Sequence, residues 1–267
     1  MIFGITPFET ISVSAIAALV LLYFFSYLLR GVIGFGSATP TILGGIWIVP
    51  PHDAVILATL TSLAAQAVLL PRGIHTCDRK ILAPMLLGAT LSIMFGIWIF
   101  ATLNAQWLTL AIGAILVFAV LAEQLKLTER VIEGHDLRGF KIPFCLTSFT
   151  GILSGISGVG ANLLLSVYVR WAVPDPATFR GTNMAYSGLA IFWRVTVLAL
   201  SALLSLKLII ESVLLVPAVL LGAFLGLKLG DRIEGARYFQ IIQIVLLLAA
   251  ISLFWRGVFH CRTRRAW

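Results

Sequence analysis

The chain reads as long apolar runs separated by short polar breaks. Runs close to membrane-spanning length cover residues 11–29, 54–70, 81–103, 107–122, 142–153, 178–203, 213–229 and 239–255. Two shorter runs, 38–49 and 161–173, each follow a cluster of glycines and end at a proline, Pro50 and Pro174. A helix needs about 20 residues to cross the hydrocarbon layer, and unpaired backbone groups are not tolerated in lipid. The pattern predicts an all-α integral membrane protein with all ten pieces helical. The first run lacks a basic leader and reads as a retained first helix.

Composition sharpens that reading. Of 267 residues, 60% are hydrophobic and 11% charged, where an ordinary soluble domain carries about a quarter charged. The mean hydropathy of +1.04 leaves too few polar side chains to coat a globule of this size. The net charge of +8 is spread in short clusters between apolar runs, without the basic face or motif of a nucleic-acid binder, so no nucleic-acid partner is expected. Cys77, Cys145 and Cys261 lie far apart and suit neither a zinc site nor a disulfide framework.

The longest polar interruption, residues 123–141, divides the chain into an N-terminal repeat (1–122) and a C-terminal repeat (142–267) joined by a cytoplasmic linker. Both halves run in one order: long helix, glycine cluster, short helix, proline, three long helices. Gly31, Gly34, Gly36 and Pro50 fall at the spacings of Gly155, Gly158, Gly160 and Pro174. After one gap, Ala54 and Thr59 match Ala177 and Thr182. An odd number of elements, about five per half, inverts the second half if the short helices cross. The expectation is two inverted repeats, with the short glycine-led helices near the midplane, an architecture of many secondary transporters. With the N-terminus outside, cytoplasmic turns hold Arg30, Arg72, Arg79, Lys80, Lys126, Arg130 and other cations, while external turns between long helices hold only Lys207. That is the positive-inside bias, broken only by Arg256, Arg262, Arg264 and Arg265 on the tail.

The chemistry is read first from what is missing. All eleven acidic residues and all four histidines fall in loops or at expected helix ends, so no carboxylate or histidine cluster lies at membrane depth. Cation transport, metal chemistry and haem binding lose their side chains, and no cofactor is expected. Glycine, hydroxyl and amide remain. In Gly34-Phe35-Gly36-Ser37 and Gly158-Val159-Gly160-Ala161-Asn162, glycines let the backbone unwind ahead of a short helix. The N–H groups and positive dipole end of a helix N-terminus suit an anion. The competing reading makes these glycines close-packing residues between helices. Thr59, Thr182 and Asn183 fall within or just after the repeated motifs, as do Thr39, Ser62, Gln66 and Tyr186. A membrane Ser or Thr more often bonds its own backbone, whereas Gln66, Asn162 and Asn183 are costlier to bury. Arg194 is the one cation well inside an apolar run, a functional residue unless it snorkels outward.

At the two glycine–proline repeats the sequence resembles the TauE/SafE family, the sulfite-exporter-like permeases. The halves read GVIGFGSATPTILGGIWIVPPHDAVILATLTS and GISGVGANLLLSVYVRWAVPDPATFRGTNMAY, and the likeness covers essentially the whole chain. The resemblance implies passage of sulfite, a sulfonate or a related small organic anion across a bacterial inner membrane, with a coupled proton. The residues read as a secondary transporter working by alternating access. Gly34, Phe35, Gly36, Ser37, Thr59, Gly158, Gly160, Asn162, Thr182, Asn183 and Arg194 form its expected anion site. Two other readings stay open: an assembly subunit of a larger membrane complex, and an interfacial enzyme using His52 with Asp53 or His135 with Asp136.

Overall fold

In the computed structural model the described residues are 7–9, 11–33, 36–132, 134, 136–158 and 161–230. Among them nine of the ten expected pieces are helical, and there is no strand; the run 239–255 lies outside the described residues. The long helices are α1 (Val13–Ile33), α3 (Pro51–Thr76), α4 (Arg79–Thr102), α5 (Ala105–Gln124), α7 (Lys141–Ser157), α9 (Pro176–Leu200) and α10 (Leu206–Gly230). Between them stand the short α2 (Ala38–Gly45) and α8 (Ala161–Ala172). A six-residue helix, α6 (Leu127–Ile132), occupies the linker, where only a polar connection was expected. Among the described residues five helices, α1, α3, α4, α9 and α10, are long and apolar enough to cross a membrane.

Proline and glycine set these boundaries. Pro51 and Pro176 open α3 and α9 at their first turns, where the missing N–H costs no hydrogen bond. Gly158 closes α7 in the left-handed conformation (φ 70°), its N–H donating to the Ser154 carbonyl at 2.8 Å. Gly36, with φ 94°, turns the chain between α1 and α2. Each glycine cluster thus breaks a long helix from a short one.

Small residues decide the packing, as expected where lipid removes any solvent drive for association. The most extensive helix contacts are α4 with α7, α1 with α10, and α3 with α9. Gly222 meets Phe24 and Gly226 meets Leu28, so α1 and α10 run parallel. Gly88 meets Phe144 and Gly96 meets Ile152, so α4 and α7 run parallel. Gly73 faces Ala185 while Gly188 faces Gln66, so α3 and α9 run antiparallel. Asp78 N–H donates to Thr182 Oγ1 and Trp193 Nε1–H to the Thr90 carbonyl, which sets α4 parallel to α9. Arg180, near the start of α9, donates to the Gly230 carbonyl at the end of α10, which makes that pair antiparallel. Taken together, α1 points opposite to α7, α3 to α9, and α4 to α10. The outer faces carry exposed Leu91, Phe95, Trp98, Trp107, Leu121 and Leu221, the surface a bilayer covers.

One expectation is corrected. Arg30 is not a cation of a cytoplasmic turn: α1 continues to Ile33, and Arg30 is 3% exposed within its last turns. The long aliphatic stem lets an arginine remain in a helix that a hydropathy pattern ends one residue earlier.

Candidate functional site

The two helix breaks face one cleft. Its empty volume is about 580 Å³ with the open solvent at its mouth included. Gly36 and Ser37 reach it from the first break, and Ser154 and Gly158 from the second. Thr59 and Ser62 of α3 form one wall; Tyr186, Ser187 and Arg194 of α9 form another. Apolar Ile42 and Ile93 also line it.

Two arginines give the cleft its charge. Arg30 Nη1 donates to Ser37 Oγ at 3.1 Å, and its guanidinium carbon lies 6.0 Å from the centre of the Tyr27 ring. Arg194, 5% exposed, crosses from α9 to donate to the carbonyls of Ser154 and Gly155. Those carbonyls belong to the last turn of α7, so Arg194 also covers the negative end of that helix dipole. Among the described residues neither Nε has a hydrogen-bond partner. Among the described residues neither guanidinium is paired with a carboxylate, whereas Arg138 pairs with Asp78 and Lys207 with Glu211. Removing a cation from water is costly unless a counter-charge compensates it. Two such cations at one cleft create a place for an anion.

The hydroxyls are arranged around this charge. Thr59 Oγ1 donates back to the Val55 carbonyl at 2.7 Å, the ordinary membrane-helix bond, which leaves its lone pairs to the cleft. Tyr27 joins Thr61 at 3.0 Å and Ser62 at 2.8 Å, fastening α1 to α3 behind Arg30. Among the described residues no three His, Cys, Asp or Glu side chains converge as a metal site requires.

The model of the family described as sulfite exporter TauE/SafE matches residues 19–253. The chain belongs to the TauE/SafE family. No curated protein and no solved structure matches it. TauE/SafE is a transporter family, and the apolar helices make this member a multi-pass membrane protein.

Within this TauE/SafE chain, the cleft gathers Gly36, Ser37, Thr59, Gly158 and Arg194 of the expected site. It does not gather Thr182, whose hydroxyl accepts the Asp78 N–H at 3.0 Å. Asn183 is also elsewhere, buried between α8 and α9 with Ser166 Oγ at 3.4 Å and the Phe179 carbonyl at 3.2 Å. Gly34, Phe35 and Gly160 lie outside the described residues. So does the side chain of Asn162, whose backbone sits in the first turn of α8. His52 spends its Nε2 on the Leu103 carbonyl at 3.1 Å, remote from the cleft, and His135 lies outside the described residues. Arg30 is the cleft-lining residue that the sequence pattern did not place in the site. Its signal was available: a span of about 20 residues counted from Val13 includes it.

Proposed function

We propose that this chain is a secondary transporter carrying a small anion, of the sulfite, sulfonate or related organic-acid class, through the Arg30–Arg194 cleft by alternating access. The observation that carries this reading is the pair of buried guanidinium groups, lacking a carboxylate partner among the described residues, at the meeting point of two broken helices. Anion oxygens supply the counter-charge, and Ser37, Thr59 and the backbone at Gly36 and Gly158 complete their hydrogen bonds. Gly34, Phe35, Gly160 and Asn162 belong to the same two breaks and enter the proposal with them.

The proposal extends to the architecture. The opposed directions of α1 and α7, α3 and α9, and α4 and α10 support two inverted repeats about an axis in the membrane plane, with the cleft near the midplane. We place the protein in a bacterial inner membrane. Any coupled proton travels on the anion, because none of the side chains named in the cleft is a carboxylate or an imidazole.

The test is uptake of sulfite and short sulfonates into proteoliposomes, with Arg30→Gln and Arg194→Gln as variants. Each variant is expected to lose affinity by about ten- to a hundredfold, the cost of a lost charge-assisted hydrogen bond of roughly 1.5–3 kcal/mol. Wild-type affinity in both variants removes the cleft as the anion site.

A further inference from the structure

Gln66 stands one helical turn beyond Ser62 on α3 and is 4% exposed. Among the described residues neither its Oε1 nor its Nε2 has a hydrogen-bond partner. The other buried polar side chains of α3 are all engaged: Thr59 with Val55, Thr61 with Leu57, and Ser62 with Tyr27. A buried amide with nothing to bond to is unfavourable in both of its halves.

Its position explains what it serves. Gln66 lies in the α3–α9 seam, opposite Gly188: a Cβ there would meet Gln66 Oε1 at 3.0 Å and Leu70 Cδ1 at 2.6 Å. The neighbours of both residues, Ser62 on α3 and Ser187 on α9, line the arginine cleft. Farther along, the seam closes where a Cβ on Gly73 would meet the Ala185 nitrogen at 2.8 Å, and where Gly181 abuts Thr76. Gln66 is therefore the next buried polar side chain of α3 beyond the cleft-lining Ser62. Residues 62–70 and 181–191 contain no charged side chain, so the seam offers nothing to hold a second negative charge.

We propose that Gln66 is a second contact for the transported anion, beyond the arginine cleft, and that it selects a small oxyanion bearing one proton. The inference rests on the anion-transport reading above. The amide offers a donor at Nε2 and an acceptor at Oε1. A singly protonated oxyanion satisfies both, with its charged oxygen accepting from Nε2 and its hydroxyl donating to Oε1. A fully ionised dianion satisfies only the first and sets a charged oxygen against Oε1.

The experiment uses the full chain, purified for binding and reconstituted for uptake, with sulfite below and above its second ionisation and with sulfate as a dianion throughout. Gln66→Leu is expected to leave sulfite binding at the arginine cleft unchanged and to lower uptake by about tenfold, the effect of one lost hydrogen bond to an anion. It should not lower thermal stability, because a near-isosteric apolar side chain replaces an unpaired polar one. Wild-type uptake should favour sulfite below its second ionisation, and Gln66→Leu should abolish that preference. Uptake at the wild-type rate means the amide serves only a buried water, and the inference falls. It also falls if Gln66→Leu and Gln66→Met both unfold or lose stability in step with uptake, or if wild-type protein carries the dianions as fast as protonated sulfite. Failure of the underlying reading looks different: sulfite binding would then survive Arg30→Gln and Arg194→Gln.

Discussion

Gly155 of α7 and Gly96 of α4 meet backbone to backbone, a Cβ on Gly155 lying 2.6 Å from the Gly96 Cα. Gly31 and Gly226 make the matching contact between α1 and α10, at 2.8 Å. Gly31 and Gly155 open the two repeated glycine clusters, and both serve as spacers. Gly155→Val or Gly31→Val should cost about 1–3 kcal/mol or more through overpacking, lowering Tm while the folded fraction keeps its anion affinity. Gly36→Val should act differently. Among the described residues no atom beyond its chain neighbours stands within 4 Å of its Cβ, but its φ of 94° disfavours a branched residue beside the cleft, so transport should fail. Thermal unfolding and sulfite affinity measured on one set of purified variants separate the two classes. A stable Gly155→Val that cannot bind sulfite would move Gly155 into the site.

The spans and breaks were legible because charge is scarce and glycine and proline mark the ends. The charge of the site was only half legible. An apolar run stops at Leu29 because Arg30 reads as a boundary, yet the helix carries it into the cleft beside Ser37. The repeat hides its partnership with Arg194: the position matched to Arg30 is Ser154, and the second cation arrives from α9 to cap the turn that holds Ser154. Matching also misleads at Thr182. It aligns with Thr59, but only Thr59 faces the cleft, because Thr182 is taken by the Asp78 N–H of the α3–α4 turn.

Asp175 gives a pH dependence. Its carboxylate accepts from the Thr178 hydroxyl at 2.6 Å and the Thr178 N–H at 2.8 Å, and these bonds hold its pKa below the usual carboxylate value. A lowered folded-state pKa means the cap stabilises α9 above the unfolded-state value and is lost as pH falls through the lowered one. Asp175→Asn keeps an accepting oxygen without the charge. Its Tm should therefore fall less than that of wild type across the acidic carboxylate range. Identical acid slopes for the two proteins would leave the cap without a titrating role.

Topology is tested by labelling. With Cys77, Cys145 and Cys261 replaced, single cysteines near Lys80 and Arg130 should be protected from an impermeant thiol reagent in intact cells. One near Asn104, in the exposed turn between α4 and α5, should react. The parallel course of α4 and α7 ties these sites together, since the starts of both helices lie on one side. Reaction near Lys80 with protection near Asn104 would reverse the orientation of every helix.

The arginines predict how the empty protein differs from the occupied one. Without an anion, each buried guanidinium carries a desolvation cost that its neighbours offset unequally. Arg194 has two α7 carbonyls, whereas Arg30 has the Ser37 hydroxyl and the distant face of Tyr27. Arg30→Met, similar in length and apolar, should therefore raise the Tm of anion-free protein. Arg194→Met removes the cap of α7 and should lower it. Both should sharply reduce the Tm rise caused by sulfite, which in wild type amounts to about 2.7 kcal/mol of stabilisation at a hundredfold excess over Kd. Arg30→Lys should respond only in part, because an ammonium keeps the charge and loses the fork that holds two anion oxygens at once. Thermal unfolding of the four proteins, with and without sulfite, reads all of this in one experiment. If Arg30→Met destabilises anion-free protein as much as Arg194→Met does, Arg30 is a structural cation held by Ser37, and the anion must bind elsewhere.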